Sequence, residues 1–290
     1  MHHEIASHID DHQSSAQAAA EGEMSPTAVC VDDYHKTYKE TVAVQGLTFR
    51  VEAGQILGLV GPNGAGKTTT LKAIAGIIPP TRGRLSVAGF DLAAEPVPAK
   101  QRLAYIPDDP KLFEALTPME HLEFIGATYG VDGFADKAAR LLETFELTEK
   151  KDAPAQELSR GMRQKVAICC GYLHDPAAIL FDEPLTGLDP RAIRTLKKSI
   201  VDRAREGAAV IISSHLLALV EDMCSHLLIL ERGRKRFWGT MADLRRAFDD
   251  IAGDATLEEI FFRATEGDAA LNGPAASHPS RDAASLTTEG

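Results

Sequence analysis

The segment Gly61-Pro62-Asn63-Gly64-Ala65-Gly66-Lys67-Thr68, followed by Thr69, fits the pattern G-x-x-x-x-G-K-[ST] at every position. It follows the apolar run 56–60 and precedes a stretch of helical character at 68–77. The motif requires a strand before it and a helix after it, and both are predicted here. The glycines let successive backbone N–H groups point inward around phosphate oxygens, and the helix N-terminus adds its dipole. Lys67 supplies a mobile cation for the β and γ phosphates, and the Thr68 hydroxyl is a ligand for Mg²⁺. The expectation is a nucleoside triphosphate site.

The rest of the chain falls into place around that loop. From 28 to about 60 apolar and polar residues alternate (Val29, Val31; Val42, Val44; Leu47, Phe49, Val51), as in half-buried antiparallel strands. Short strands are predicted at 84–87 and 103–106, and a mostly helical region at 118–173. Strands at 178–181, 209–213 and 227–230 then alternate with helices at 190–206 and 216–223, which requires a mainly parallel sheet. The segment 231–238 reads as a basic turn, followed by helical spacing at 241–248 and an amphipathic stretch at 256–262. The predicted fold is α/β, a phosphate-loop NTPase core with a mainly parallel sheet, an N-terminal antiparallel β layer and a helical subdomain at about 115–173.

Two further segments carry chemistry. The apolar strand 178–181 runs into Asp182 and Glu183. A parallel strand of this kind aims Asp182 at the mouth of the sheet, where it can hold Mg²⁺, and leaves Glu183 to orient or deprotonate an attacking water. Upstream, Leu158-Ser159-Arg160-Gly161-Met162-Arg163-Gln164-Lys165 places Ser159 as a helix N-cap, with Gly161 allowing close approach.

With this segment shortly before the Asp182-Glu183 strand, residues 28–240 resemble the ATP-binding subunit of an ABC transporter. The family's signature, usually LSGGQ, falls at Ser159, Arg160, Gly161 and Met162. Tyr38 matches the aromatic residue that stacks on adenine. Asp189 matches the D-loop and His215 the switch histidine, which would contact the γ-phosphate. The resemblance implies ATP and Mg²⁺ as ligands and ATP hydrolysis as the activity. It also implies a head-to-tail pair of ATPase subunits, a homodimer or a pairing with a second ATPase subunit, in which each signature acts on the partner's ATP. A separate membrane permease would place the chain in the cytoplasm, on the inner face of the membrane. Two positions depart from the common pattern. Arg160 and Met162 replace Gly and Gln, a variant similar to those of exporters of drugs, antibiotics, lipids or ions. Asp108, in Tyr105-Ile106-Pro107-Asp108-Asp109-Pro110, stands where the Q-loop glutamine is expected, at the Mg²⁺ side. The segment after it is stiffened by Pro110 and Pro118, and Leu112, Phe113 and Leu116 are expected to be exposed to a permease helix.

Composition narrows the alternatives. The net charge is −11, with Glu4, Asp10, Asp11, Glu21 and Glu23 in the N-terminal tail, and there is no basic stripe. Nucleic acid is therefore not expected as a partner. Residues 1–27, with His2, His3, His8 and His12, and 266–290 read as disordered tails, and 241–265 as a C-terminal helical extension. The first thirty residues lack the basic residues of a leader, and the four cysteines suggest reduced thiols, so a cytosolic setting is expected. The alternative is a soluble ABC-type ATPase acting in translation or DNA repair. The missing internal repeat argues against the first. The short distance from Lys67 to Ser159, with no room for a long coiled coil, argues against the second.

Overall fold

The computed structural model describes residues 27–215 and 220–247. The expected tails, the amphipathic stretch 256–262 and most of the extension 241–265 lie outside the described residues, as do residues 216–219 of the helix expected at 216–223.

Two sheets form the framework. Strands β1 (Thr27–Tyr38), β2 (Thr41–Glu52), β4 (Arg82–Val87) and β5 (Phe90–Asp91) make an antiparallel sheet in the order β2-β1-β4-β5. The second sheet has the order β10-β9-β3-β8-β7-β6. It contains β3 (Ile56–Val60), β6 (Leu103–Ile106), β7 (Ala178–Asp182), β8 (Ala209–Ser214), β9 (His226–Glu231) and β10 (Arg234–Thr240). Its strands are parallel except for β10 at the edge. Helices α1 (Lys67–Ile74), α2 (Pro96–Gln101), α3 (Pro118–Tyr129), α4 (Phe134–Thr144), α5 (Arg160–Tyr172), α6 (Pro190–Arg205) and α7 (Met241–Ala247) complete the described elements.

The parallel strands are apolar on both faces because each face has its own core. Leu57 and Leu59 of β3, Leu180 of β7 and Ile211 of β8 pack with α1 and the antiparallel sheet. Their neighbours Val60, Ile179, Phe181 and Ile212 face the other way, onto α5, α6 and the helical region. A strand's two-residue period sends alternate side chains to opposite cores. On the second face Gly58 is needed for close packing, since a Cβ there would lie 2.3 Å from Val220 Cγ1.

The helices start where their caps dictate. Thr117 and Glu120 form a reciprocal capping box at α3, with Pro118 in the first turn. Asp189 accepts the N–H groups of Arg191 and Ala192 at the start of α6, and Ser159 accepts the N–H of Met162 at α5. The helical region 118–173 is thus α3, α4 and α5 with short 3₁₀ turns between them. One expectation is corrected. The segment 231–238 is mostly strand, not turn: Arg232 (φ 49) and Gly233 (φ 76) form a tight reversal, and Arg234 pairs back onto Glu231. Its charges sit around that reversal, while Phe237 is buried at 1 % exposure. The four cysteines are free, and burial pushes the Cys224 thiol up to about 12.

Candidate nucleotide site

Four adjacent parallel strands, β3, β8, β7 and β6, end at the same rim, and each delivers part of the site. After β3 the chain turns through Gly61, Gly64 (φ 80) and Gly66 (φ 103) into α1. A Cβ at Gly61 would lie 2.3 Å from the carbonyl oxygen of Leu230, and one at Gly66 would lie 2.8 Å from that of Ala43. The loop therefore winds closely against neighbouring backbone, with Pro62 accepting the N–H of Ala65. Lys67 is buried, and its ammonium donates to the carbonyl of Gly61 at 2.7 Å and to that of Pro62 at 3.3 Å. Burial pulls its pKa down, opposed by the nearby carboxylates of Glu183 and Asp182. A lysine so placed gains by exchanging carbonyl oxygens for phosphate oxygens.

Asp182, at the end of β7, is 4 % exposed and ringed by hydroxyls. Thr68 donates to its Oδ1 at 3.0 Å, Ser213 to the same oxygen at 2.7 Å, and Tyr105 to Oδ2 at 3.2 Å. Burial, and then the charge of Asp182, raise the Tyr105 pKa. Thr68 and Asp182 thus offer two hard oxygen donors side by side. No group of three or more His, Cys, Asp or Glu side chains that could hold a metal exists among the described residues. Such a sparse donor set fits Mg²⁺, which keeps waters and takes phosphate oxygens as its other ligands.

Glu183 follows with φ 50, a left-handed conformation uncommon for a residue with a side chain. Its N–H is held by the Ser213 carbonyl and hydroxyl at 3.1 and 3.2 Å. Its carboxylate lies between two basic groups, Oε1 at 3.9 Å from Lys67 Nζ and Oε2 at 2.8 Å from His215 Nδ1. Lys67, Thr68, Asp182, Glu183 and His215 therefore lie together in the fold. Tyr105 and Ser213 were not singled out.

The remaining candidates surround this centre. Tyr38, at the end of β1, is 45 % exposed, with the Lys36 ammonium 5.0 Å from its ring centroid. Tyr34, on the same strand, donates to the Thr69 carbonyl at 3.4 Å and so ties β1 to α1. At the start of α5, Gly161 closely approaches the loop ahead of Asp189: a Cβ there would lie 2.8 Å from the Gly187 carbonyl oxygen. Met162 packs on the core below. The Asp108 carboxylate, expected toward Mg²⁺, faces the signature instead, with Arg160 Nη2 at 2.9 Å from Oδ1. Beyond it, Phe113 alone of the three expected apolar residues is exposed. Leu112 and Leu116 are half-buried, Leu112 because it packs against the core under the helical region.

The chain belongs to the ABC transporter family, whose description matches residues 44–186. It is 36% identical over 241 residues to the ABC-type transporter ATP-binding protein EcsA of Bacillus subtilis (strain 168), covering 82% of this chain and 97% of that one. It is 34% identical to the linearmycin resistance ATP-binding protein LnrL of the same organism, over 78% of this chain and 73% of the relative. A solved ATP binding subunit of an ABC transporter superposes with a TM-score of 0.78 at 37% identity, over 82% of this chain and 99% of that chain. The chain is thus an ATP-binding subunit of the ABC ATPase family, whose members bind ATP with Mg²⁺, pair as dimers and work with membrane permeases. Among the described residues no helix is long and apolar enough to cross a membrane.

Proposed function

We propose that this chain hydrolyses ATP to drive export through a separately encoded permease, on whose cytoplasmic side it sits. The observation that carries the ATPase reading is the cluster around Asp182, where Thr68 lies 3.0 Å from the carboxylate and Glu183 is the next residue. In this reading the loop 61–69 cradles the phosphates, Lys67 pairs with the β and γ oxygens, and Tyr38 stacks on the base. Thr68 and Asp182 would hold Mg²⁺. When bound, the ion neutralises phosphate charge and acts as a Lewis acid. Glu183 orients a water and accepts its proton as the oxygen attacks the γ-phosphorus, the bond from that phosphorus to the β–γ bridging oxygen breaks, ADP leaves with that oxygen, and His215 donates to a γ oxygen.

The site is completed in a pair. Ser159 Oγ accepts one hydrogen bond within its own helix, leaving its O–H free to donate. With the N–H groups of Arg160, Gly161 and Met162 it makes an anion site that suits the γ-phosphate of a partner subunit's ATP. Two ATP molecules would close a head-to-tail dimer, with Asp189 at the junction of the two sites, and hydrolysis would reopen it. Export as the direction is supported by the SRGM form of the signature and by similarity to a linearmycin resistance protein.

The test uses two variants. Lys67→Ala should lose ATP affinity, whereas Glu183→Gln should bind ATP, turn over very slowly and accumulate as a dimer in size-exclusion chromatography. Wild-type turnover by Glu183→Gln would remove Glu183 as the base. For direction, cells expressing the chain with its permease should retain less of a panel of antibiotics than cells carrying Lys67→Ala. Equal retention of every compound would reject export of this class of cargo.

A further inference from the structure

Arg160 sits where three parts of the site meet. Its backbone begins α5, directly after the Ser159 cap. Its guanidinium reaches across 52 positions of sequence to Asp108 Oδ1 at 2.9 Å. Its aliphatic stem lies on the loop that leads to Asp189, with Cδ 3.3 Å from where a side chain on Gly187 would begin. One helical turn on and on the same face, Gln164, 1 % exposed, donates Nε2 to the Pro107 carbonyl at 3.2 Å. Two contacts on adjacent residues, Pro107 and Asp108, fix both the position and the direction of that segment. Two residues earlier, Tyr105 hydrogen-bonds Asp182.

The Arg160–Asp108 pair taken alone would mean little, because exposed ion pairs often contribute nothing measurable. Here each side chain is 46 % exposed, but the arginine stem is packed on Gly187 and the neighbouring Gln164 is buried. Both arrangements reduce the entropy that the pair must overcome. We propose that Arg160 is a positioning residue that joins the Asp108 segment, the signature helix and the Asp189 loop of one subunit into a single body. A change at the Asp182 carboxylate of a subunit's own ATP would thereby reach the signature that the subunit offers to its partner. The proposal rests on the head-to-tail reading above. An exposed pair shifts an equilibrium by no more than about fivefold, so its role is to position the segments and not to lock the site shut.

The experiment compares the full chain with Arg160→Met, Arg160→Lys, Asp108→Ala and the Arg160→Met/Asp108→Ala double variant. Amide hydrogen exchange and steady-state ATPase kinetics are measured on each. Met keeps the apolar stem on Gly187 and removes only the charge. Arg160→Met is expected to raise exchange severalfold at residues 108–112 and 186–189, and to lower kcat about three- to fivefold with KM for ATP within about twofold. Arg160→Lys should recover at least half of the lost kcat, and the double variant should be no worse than Asp108→Ala alone. Unchanged exchange at both segments overturns the proposal, as do additive losses in the double variant or a loss carried entirely by KM. Should Arg160→Met fail to fold, Arg160→Lys and Asp108→Ala make the same comparison. Glu183→Gln run in parallel separates the two readings: wild-type turnover there would reject the assigned base, while the exchange results still decide the junction.

Discussion

Ser213 donates its hydroxyl to Asp182 Oδ1 at 2.7 Å, and Ser213 Oγ itself accepts the N–H of Glu183 at 3.2 Å. One fully buried side chain thus orients two consecutive acidic residues. Ser213→Ala removes a donor from a buried carboxylate, which costs about 1–3 kcal/mol in stability. It should also lower kcat about tenfold and raise the Mg²⁺ concentration needed for half-maximal rate, as loss of an orienting partner does at metal sites. Urea denaturation and a Mg²⁺ titration of ATPase rate check both effects; an unchanged Mg²⁺ requirement would reduce Ser213 to a packing residue.

Mixing a Lys67→Ala chain with a Ser159→Arg chain tests the shared sites. Each parent should be inactive, one through its phosphate loop and the other through its signature. In the head-to-tail heterodimer both lesions fall in one composite site, leaving the other intact. The mixture should recover up to about half of the wild-type rate per heterodimer, since each intact site turns over once per cycle. Native mass spectrometry establishes the heterodimer, and no recovery in its presence counts against shared sites.

Phe113 is 59 % exposed and packs edge-on against the exposed Phe124 ring at 5.9 Å. Its N–H donates to His121 Nε2 at 3.0 Å, and His121 Nδ1 contacts the Thr117 carbonyl, so the histidine braces the turn. Two exposed aromatic rings held by a rigid turn suit a permease helix. Phe113→Ala should leave ATP hydrolysis by the isolated chain within twofold and weaken co-purification with the permease at least tenfold, the loss of a typical interface anchor. Equal co-purification would remove this turn from the contact.

His174 stacks on Tyr129 with ring centroids 3.9 Å apart and donates Nε2–H to the Leu103 carbonyl. Burial lowers its pKa below the ordinary 6.5, against opposing effects from Leu103 and Asp175. Because the unfolded chain takes up the proton first, the stability due to neutral His174 is present above about pH 6.5 and is lost as pH falls below it. Tm measured from pH 7.5 to 5.5 should fall less steeply for His174→Phe, which keeps the stack and cannot titrate. A slope equal to that of the wild type would assign the acid sensitivity elsewhere, with His226, also lowered by burial, as the next group to change.

The parts of the site that depend on local spacing were legible in the sequence. The loop 61–69, the Asp182-Glu183 pair and the cap at Ser159 are each written within a few residues, where turn and cap chemistry act. Tyr105 and Ser213 were not, because they reach Asp182 across 77 and 31 positions and are residue types that serve anywhere in a protein. The same distance hid the partner of Arg160. β10 was concealed differently, its strand alternation masked by the charges of Arg232, Arg234, Lys235 and Arg236 around the reversal.

The cluster of Lys67, Thr68, Asp182, Glu183 and His215 hangs from the carboxyl ends of the parallel strands, and the opposite ends carry none of it. β3 and β7 are five residues long, so the two rims are about 16 Å apart. At the far rim, Gly54 before β3, Asp175 before β7 and Gly207 before β8 are all exposed. A reporter, such as a small fluorescent domain inserted at Gly207, would ride on the catalytic sheet without meeting nucleotide or signature. The chain could then be followed through its cycle by light from the side that does no chemistry.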